Sequence, residues 1–190
     1  MADPILIWGA GAIGGTLGFL YYKETSLAKL RADFLKSEEK LAALDFKSED
    51  NVNGLLAEYR TFAAENPGTD IEIRAKIARA TILTKTGYPD KALPELEGLS
   101  ENKKFDKIFR AIALFQVADI YQQQKKYDES VKILENTTLD IFTERRLFEL
   151  ALIYIATNDK AKARSYMERI INEYPNSSFE PAIKSILEFI

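Results

Sequence analysis

The sequence predicts an all-α fold: an apolar helix of membrane-spanning length, a charged helical neck, and then a solenoid of stacked helix pairs. Three observations carry this reading. Residues Ile5 to Tyr22 form an uncharged run of 18 residues. From about residue 51 onward, apolar-periodic stretches alternate with short breaks of turn-forming residues. Along the same region, small residues recur with large partners at fixed offsets. No stretch shows the sustained period-two alternation that a half-buried strand requires. The organisation follows as a membrane anchor over 1–23, a helical neck over 24–50 and a repeat domain over 51–190.

The amino-terminal run, ILIWGAGAIGGTLGFLYY, has two chemical readings. Gly9, Gly11 and Gly14 have the Gly-x-Gly-x-x-Gly spacing of a dinucleotide-binding loop. Such a loop must follow a strand, open a helix and lead to a second strand with an acidic residue about 20 positions on. Residues 23–45 are instead a charged stretch of helix formers, with Leu27, Leu30, Phe34, Leu41 and Leu44 on one helical face. The anchor reading fits better. As a helix the run spans about 27 Å at about 1.5 Å per residue, close to the about 30 Å of a bilayer core. Trp8 lies near one end and Tyr21, Tyr22 and Lys23 close the other, where amphipathic side chains favour the headgroup level. Gly11 with Gly15, and Gly14 with Gly18, then make overlapping small-xxx-small faces on which a second membrane helix can approach. Glycine is also simply frequent in membrane helices. A cleaved signal peptide is disfavoured, since no Lys or Arg precedes the apolar run and no small-x-small cleavage site follows it.

Composition removes most chemistry. The chain has neither His nor Cys, so the usual neutral-pH base, the Ser-His and Cys-His nucleophile pairs, disulfides and the commonest zinc ligands are missing. Acidic side chains such as Glu38, Glu39, Asp128 and Glu129 sit among lysines, as solvated helix faces do. A net charge of -3 leaves no basic stripe for nucleic acid. No catalytic residue, cofactor, metal or small-molecule substrate is therefore expected. The partners expected are proteins and the membrane.

The neck is expected as a helix over 26–44. Breaks at Asn66-Pro67-Gly68, Gly87-Tyr88-Pro89, Lys125-Lys126-Tyr127, Asn158-Asp159 and Tyr174-Pro175-Asn176 then divide the rest into helices over 51–65, 70–86, 89–100, 105–125, 127–137, 141–157, 159–173 and 178–189. Ala80, Ala118 and Ala151 are each followed three positions on by Leu83, Tyr121 and Tyr154. Twelve positions after each comes another small residue, Ala92, Ser130 and Ala163, and four beyond those stand Leu96, Leu134 and Met167. The spacing is 38 residues from Ala80 to Ala118 and 33 from Ala118 to Ala151. These values bracket the 34-residue tetratricopeptide repeat, a helix-turn-helix unit in which small residues let paired helices touch. Leu114, Val117, Ala118 and Tyr121 resemble its first-helix motif, as do Leu147, Leu150, Ala151 and Tyr154, with Pro175 at the closing position. The first copy is degenerate, with Lys76 and Arg79 where large apolar residues are preferred. Asn53 to Pro67 resembles an incomplete leading repeat, and Ser177 to Ile190 a cap.

In such arrays the first helices line the concave side, where extended peptides or partner helices bind. The candidate groove residues are Arg74, Ile77, Thr81 and Thr84, then Ile112, Phe115, Asp119 and Gln122, then Arg145, Phe148, Leu152 and Ile155. Arg74 and Arg145 are candidates to hold a carboxylate or backbone carbonyls. Phe115, Phe148, Leu152 and Ile155 are apolar for a solvated groove, and packing on the cap helix would explain them equally.

An amino-terminal membrane helix, a charged neck and a short tetratricopeptide array together resemble the YfgM-type ancillary subunits of the bacterial SecYEG translocon, most specifically in ALFQVADIYQQQKKYDESVKILE and ELALIYIATNDKAKARSYMERII. INEYPNSSFEPAI also looks like periplasmic repeats of the BamD and CpoB kind. The resemblance implies a non-catalytic, membrane-tethered scaffold of the bacterial inner membrane that meets exported chains or chaperones. A structural accessory subunit of a large bioenergetic or envelope complex is the alternative, and a dinucleotide-binding enzyme the remote one. Lys23, Lys29, Arg31 and Lys36 follow the span, and by the positive-inside rule alone they would hold the repeats in the cytoplasm. The resemblance implies the periplasm, and the periplasm is the expectation adopted.

Overall fold

The computed structural model describes residues 24–190. The expected anchor, with Gly11, Gly14, Gly15 and Gly18, lies outside the described residues. Among those described, there is no strand and no helix is long and apolar enough to cross a membrane.

Nine helices follow one another among the described residues: α1 over 24–42, α2 Glu49–Glu65, α3 Asp70–Lys85, α4 Pro89–Glu101, α5 Lys107–Gln123, α6 Tyr127–Asn136, α7 Thr143–Ala156, α8 Lys160–Glu173 and α9 Glu180–Leu187. Every expected helix is present, with its ends within two residues of expectation. Local chemistry sets several of these ends. The Thr69 hydroxyl accepts from the Glu72 amide at 3.4 Å while the Glu72 carboxylate accepts from the Gly68 amide at 2.5 Å, a reciprocal cap that opens α3. Asp106 caps α5 by accepting from the Ile108 amide at 2.7 Å, and Asp159 caps α8 by accepting from the Lys162 amide at 3.1 Å.

The described chain divides after Phe62 into two compact units. In the first, Phe34 of α1 is 2% exposed and meets Tyr59 and Phe62 of α2 edge to face, with ring centres 5.9 and 5.2 Å apart. Lys40 and Ser37 both donate to the Glu58 carboxylate, at 2.8 and 2.9 Å. The expected neck is thus one half of a helix pair.

The second unit contains three helix pairs, α3/α4, α5/α6 and α7/α8, and then α9. Each pair is joined by the same backbone turn. A left-handed residue closes the first helix in each, Gly87 at φ 86°, Lys125 at φ 60° and Asn158 at φ 62°. The next amide bonds back five residues to the same carbonyl position, Tyr88 to Leu83, Lys126 to Tyr121 and Asp159 to Tyr154, each at 2.8 Å. This is the Schellman closure, repeated with the 38- and 33-residue spacing of the side-chain pattern. The small residues all lie inside: Ala80, Ala118, Ala151, Ala92, Ser130 and Ala163 are buried, as are Leu96, Leu134 and Met167. Ser130 records how close the paired helices come, because its hydroxyl donates to the Ala118 carbonyl across the pair at 3.1 Å. In the degenerate first pair, ionic contacts stand where apolar ones were expected. Lys76 pairs with Glu72 at 2.6 Å, and Arg79 crosses to Glu95 of α4 at 3.0 Å.

Two outcomes are expected from this geometry. Ala118→Phe or Ala151→Phe should lower stability by about 1 to 3 kcal/mol by forcing paired helices apart; an unchanged denaturation midpoint would contradict the register. Lys125→Gly should raise stability by about 1 kcal/mol by removing the left-handed strain of a side chain. Asn158→Gly should gain less, since Asn tolerates that conformation, and thermal melts of the two variants side by side would show the order.

Candidate protein-interaction face

The first helices α3, α5 and α7 lie in rank, each tied to the next by a side chain. Gln116 of α5 donates its amide to the Thr81 hydroxyl of α3 at 3.0 Å. Arg145 of α7 lays its guanidinium over the Phe115 ring of α5 at 4.3 Å from the ring centre. Phe115 and Arg145, both expected on the groove side of their first helices, meet here.

Four of the expected groove residues gather at one point between α5 and α7. Phe115 forms the buried base and Arg145 covers it. Asp119 faces the same guanidinium; burial raises its carboxyl above the usual carboxylate range and Arg145 partly opposes that rise. Gln122 hydrogen-bonds to Glu149, which lies 3.6 Å from Arg145 Nε. Burial raises Glu149, and the neighbouring Asp119 charge raises it further. Two half-buried carboxylates therefore share one guanidinium. Arg145 is engaged within the face while its side chain stays 47% exposed. Glu149 was missed, although its place four residues after Arg145 on one helix is a readable pairing signal.

The remaining candidates separate. Phe148 stacks on Phe179 with ring centres 4.5 Å apart, and both Phe148 and Ile155 pack against the buried cluster that includes Ile183 of α9. These two belong to the cap contact. Ile77 packs against the core of the first pair. Thr81 and Thr84 donate to carbonyls of their own helix, Ile77 and Ala80, at 3.0 and 2.9 Å. Arg74 is half-buried near the start of α3, Leu152 is half-buried on α7, and Ile112 is exposed on α5. Ile112 and Leu152 are the apolar candidates that neither the cap contact nor the core of the first pair takes up.

A second set of polar contacts, not foreseen, joins successive repeats. The Tyr121 hydroxyl of α5 donates to Glu97 of α4 at 2.7 Å, and the Tyr154 hydroxyl of α7 donates to Glu135 of α6 at 3.2 Å. Glu97 follows Leu96 and Glu135 follows Leu134, so the bond recurs at equivalent positions. Tyr166 adds a second donor to Glu135 at 2.7 Å, its ring stacked on Tyr154. The hydrogen bond to Glu97, with burial, pushes Tyr121 up to about 12. Among the described residues, no group of three or more metal-ligating side chains could hold an ion.

The tetratricopeptide repeat-like domain family matches the chain over residues 4–189. The chain belongs to that family. Among curated proteins, none matches it. Membership of the tetratricopeptide repeat-like family accords with the three Schellman-closed pairs and their buried small residues, and domains of this kind are typically protein-interaction modules. In the vocabulary of the repeat, Tyr121 and Tyr154 are first-helix residues that reach back to the second helix of the preceding copy.

Tyr121→Phe is expected to lower stability by about 1 kcal/mol at neutral pH, by removing one hydrogen bond to a partly buried carboxylate. The sign at alkaline pH follows from the raised value. The unfolded phenol titrates near 10 and the folded one near 12, so this contribution is complete below pH 10 and is lost as pH rises towards 12. Urea unfolding of both proteins at pH 8 and pH 11.5 should show the gap closing.

Proposed function

We propose that the chain is a membrane-anchored, non-catalytic scaffold, an accessory subunit that docks protein partners along α3, α5 and α7. The observation that carries the reading is the rank of three first helices tied side by side, with Ile112, Asp119, Arg145, Glu149 and Leu152 on one face. Such a face offers apolar contact and fixed charge together, the composition from which specific docking surfaces are made. The lack of His and Cys supports the absence of catalysis. The anchor is supported by the uncharged run from Ile5 to Tyr22 with its aromatic ends, a run that the family match takes in. Gly11, Gly14, Gly15 and Gly18 are the residues we assign to helix–helix contact in the bilayer. The repeat domain is placed on the periplasmic side of a bacterial inner membrane, because long domains translocate despite following basic residues. A structural subunit of a larger bioenergetic or envelope complex is the second form of the same reading, with the anchor making the main contact.

The chain has no Cys, so one introduced thiol is a unique handle. A membrane-impermeant thiol cross-linker added outside spheroplasts should capture a partner through Leu152→Cys and Ile112→Cys, but not through Lys160→Cys on the exposed side of α8. Gly11→Leu with Gly15→Leu should reduce that capture if the anchor contributes to assembly. Equal capture from position 160 would remove the face, and reaction only after lysis would place the domain in the cytoplasm.

A further inference from the structure

A cleft of about 430 Å³ opens among α4, α5 and α6, and no residue of the Asp119–Arg145–Glu149 group lines it. It lies where α6 ends early. That helix has 10 residues against 13 in α4 and 14 in α8, and beyond Asn136 the chain leaves in irregular backbone whose Leu139 is drawn into the core. Asn136 and Thr138 of this segment border the cleft. Leu114 and Val117, both buried, and half-buried Ile133 give it an apolar base.

Three cations line the same cleft from three segments: Lys103 from the turn after α4, Arg110 from α5 and Lys132 from α6. Among the described residues none of them is in an ion pair. The two lysines are exposed and Arg110 is half-buried. Arg110 donates from Nε to the Ser100 carbonyl at 3.0 Å, which fixes the plane of its guanidinium and leaves its terminal amines as donors. Two acids stand against them. Glu97 accepts the Tyr121 hydroxyl at 2.7 Å, and Glu101 is exposed at the end of α4. Cations therefore exceed acids around an apolar base, and Asn136 and Thr138 add an amide and a hydroxyl.

We propose that this cleft binds a small-molecule phosphate monoester with an apolar body, independently of any protein docked on α3, α5 and α7. The donor set decides which anion fits. A carboxylate is satisfied by one guanidinium fork, whereas a phosphate monoester presents three terminal oxygens and close to two negative charges at neutral pH. Charged donors converging from three segments match the second pattern. Arg110, held in plane, takes two oxygens, and Lys103 and Lys132, point charges on flexible stems, close over the group from the rim. The body of the ligand lies on Leu114, Val117 and Ile133. The volume sits at the small end of ligand sites, about 300–1,000 Å³, which suits a nucleoside or a short alkyl body. Glu101 repels the same dianion, so it lowers affinity and its removal is diagnostic.

The test is isothermal titration of the full chain in nonionic detergent at pH 7.5 with n-butyl phosphate, AMP, inorganic phosphate and pentanoate. The tighter of the two esters is expected to bind about fivefold or more above inorganic phosphate, which lacks the body, and above pentanoate, which lacks the second charge and third oxygen. Whichever ester leads identifies the body as alkyl or nucleoside. Lys132→Gln should weaken the leading ester about fivefold, and Glu101→Gln should tighten it about twofold, both exposed substitutions leaving the melting temperature unchanged. Pentanoate or inorganic phosphate binding as tightly as the leading ester would overturn the assignment. So would no binding of either ester at millimolar concentration, or indifference of the leading ester to both substitutions.

Discussion

The repeat unit depends on one contact, the close approach of paired helices at buried small residues. Ala80 with Ala92, Ala118 with Ser130 and Ala151 with Ala163 occupy the same places in their pairs, and all six are buried. Helix backbones can come this near only where side chains are small, and the Ser130 hydroxyl on the Ala118 carbonyl marks the distance at 3.1 Å. Close approach at one level obliges larger side chains to fill the diverging ends, which is where Leu96, Leu134 and Met167 are found. The connecting turn is constrained in the same stroke. A chain that must reverse within a few residues and start the second helix against the first needs a left-handed residue, and Gly87, Lys125 and Asn158 supply it at the same offset.

Between pairs the logic changes from apolar to mixed. Tyr121 on Glu97 and Tyr154 on Glu135 place a directional bond between each first helix and the second helix before it. A hydrogen bond of this kind contributes modestly to stability, about 1 kcal/mol, but it fixes relative orientation in a way that aliphatic packing does not. The first pair uses ions for a related purpose. Arg79 reaches Glu95 at 3.0 Å, and burial lifts Glu95 above its usual range despite that partner, so desolvation exceeds the attraction it is meant to offset.

The fold was legible because its determinants are local. Turn-forming residues at fixed spacing, small residues three positions before large ones and capping residues such as Asp106 and Asp159 are all visible within a window of one repeat. The candidate face was legible only in part, and the missing part has a physical cause. Periodicity assigns a residue to a side of a helix but does not say what comes to cover it. Phe148 and Ile155 were assigned to the groove side of α7, and α9 packs against both, through Phe179 and the cluster around Ile183. Arg145 was recognised as a cation on the face, yet its neutralisation depends on Glu149 beside it and Asp119 on the next helix. The pairing of α1 with α2 was likewise out of reach, since Phe34, Tyr59 and Phe62 meet across a separation longer than any window of helical periodicity.

The Asp119–Arg145–Glu149 group shows how such a face can be both rigid and selective. Both carboxyls are raised by burial, and each acid is opposed by the same guanidinium. For an acid raised on folding, the charged form is the disfavoured one, so the folded state gains relative stability as pH falls through the raised value and loses it as pH rises above it. Two partly buried acids therefore face a single cation, an excess of acids in surroundings that solvate charge poorly. A partner that brings a cation beside Ile112 and Leu152 would relieve that excess, whereas a partner bringing a carboxylate would meet repulsion from two sides. Discrimination of this kind rests on the cost of the wrong charge as much as on attraction for the right one.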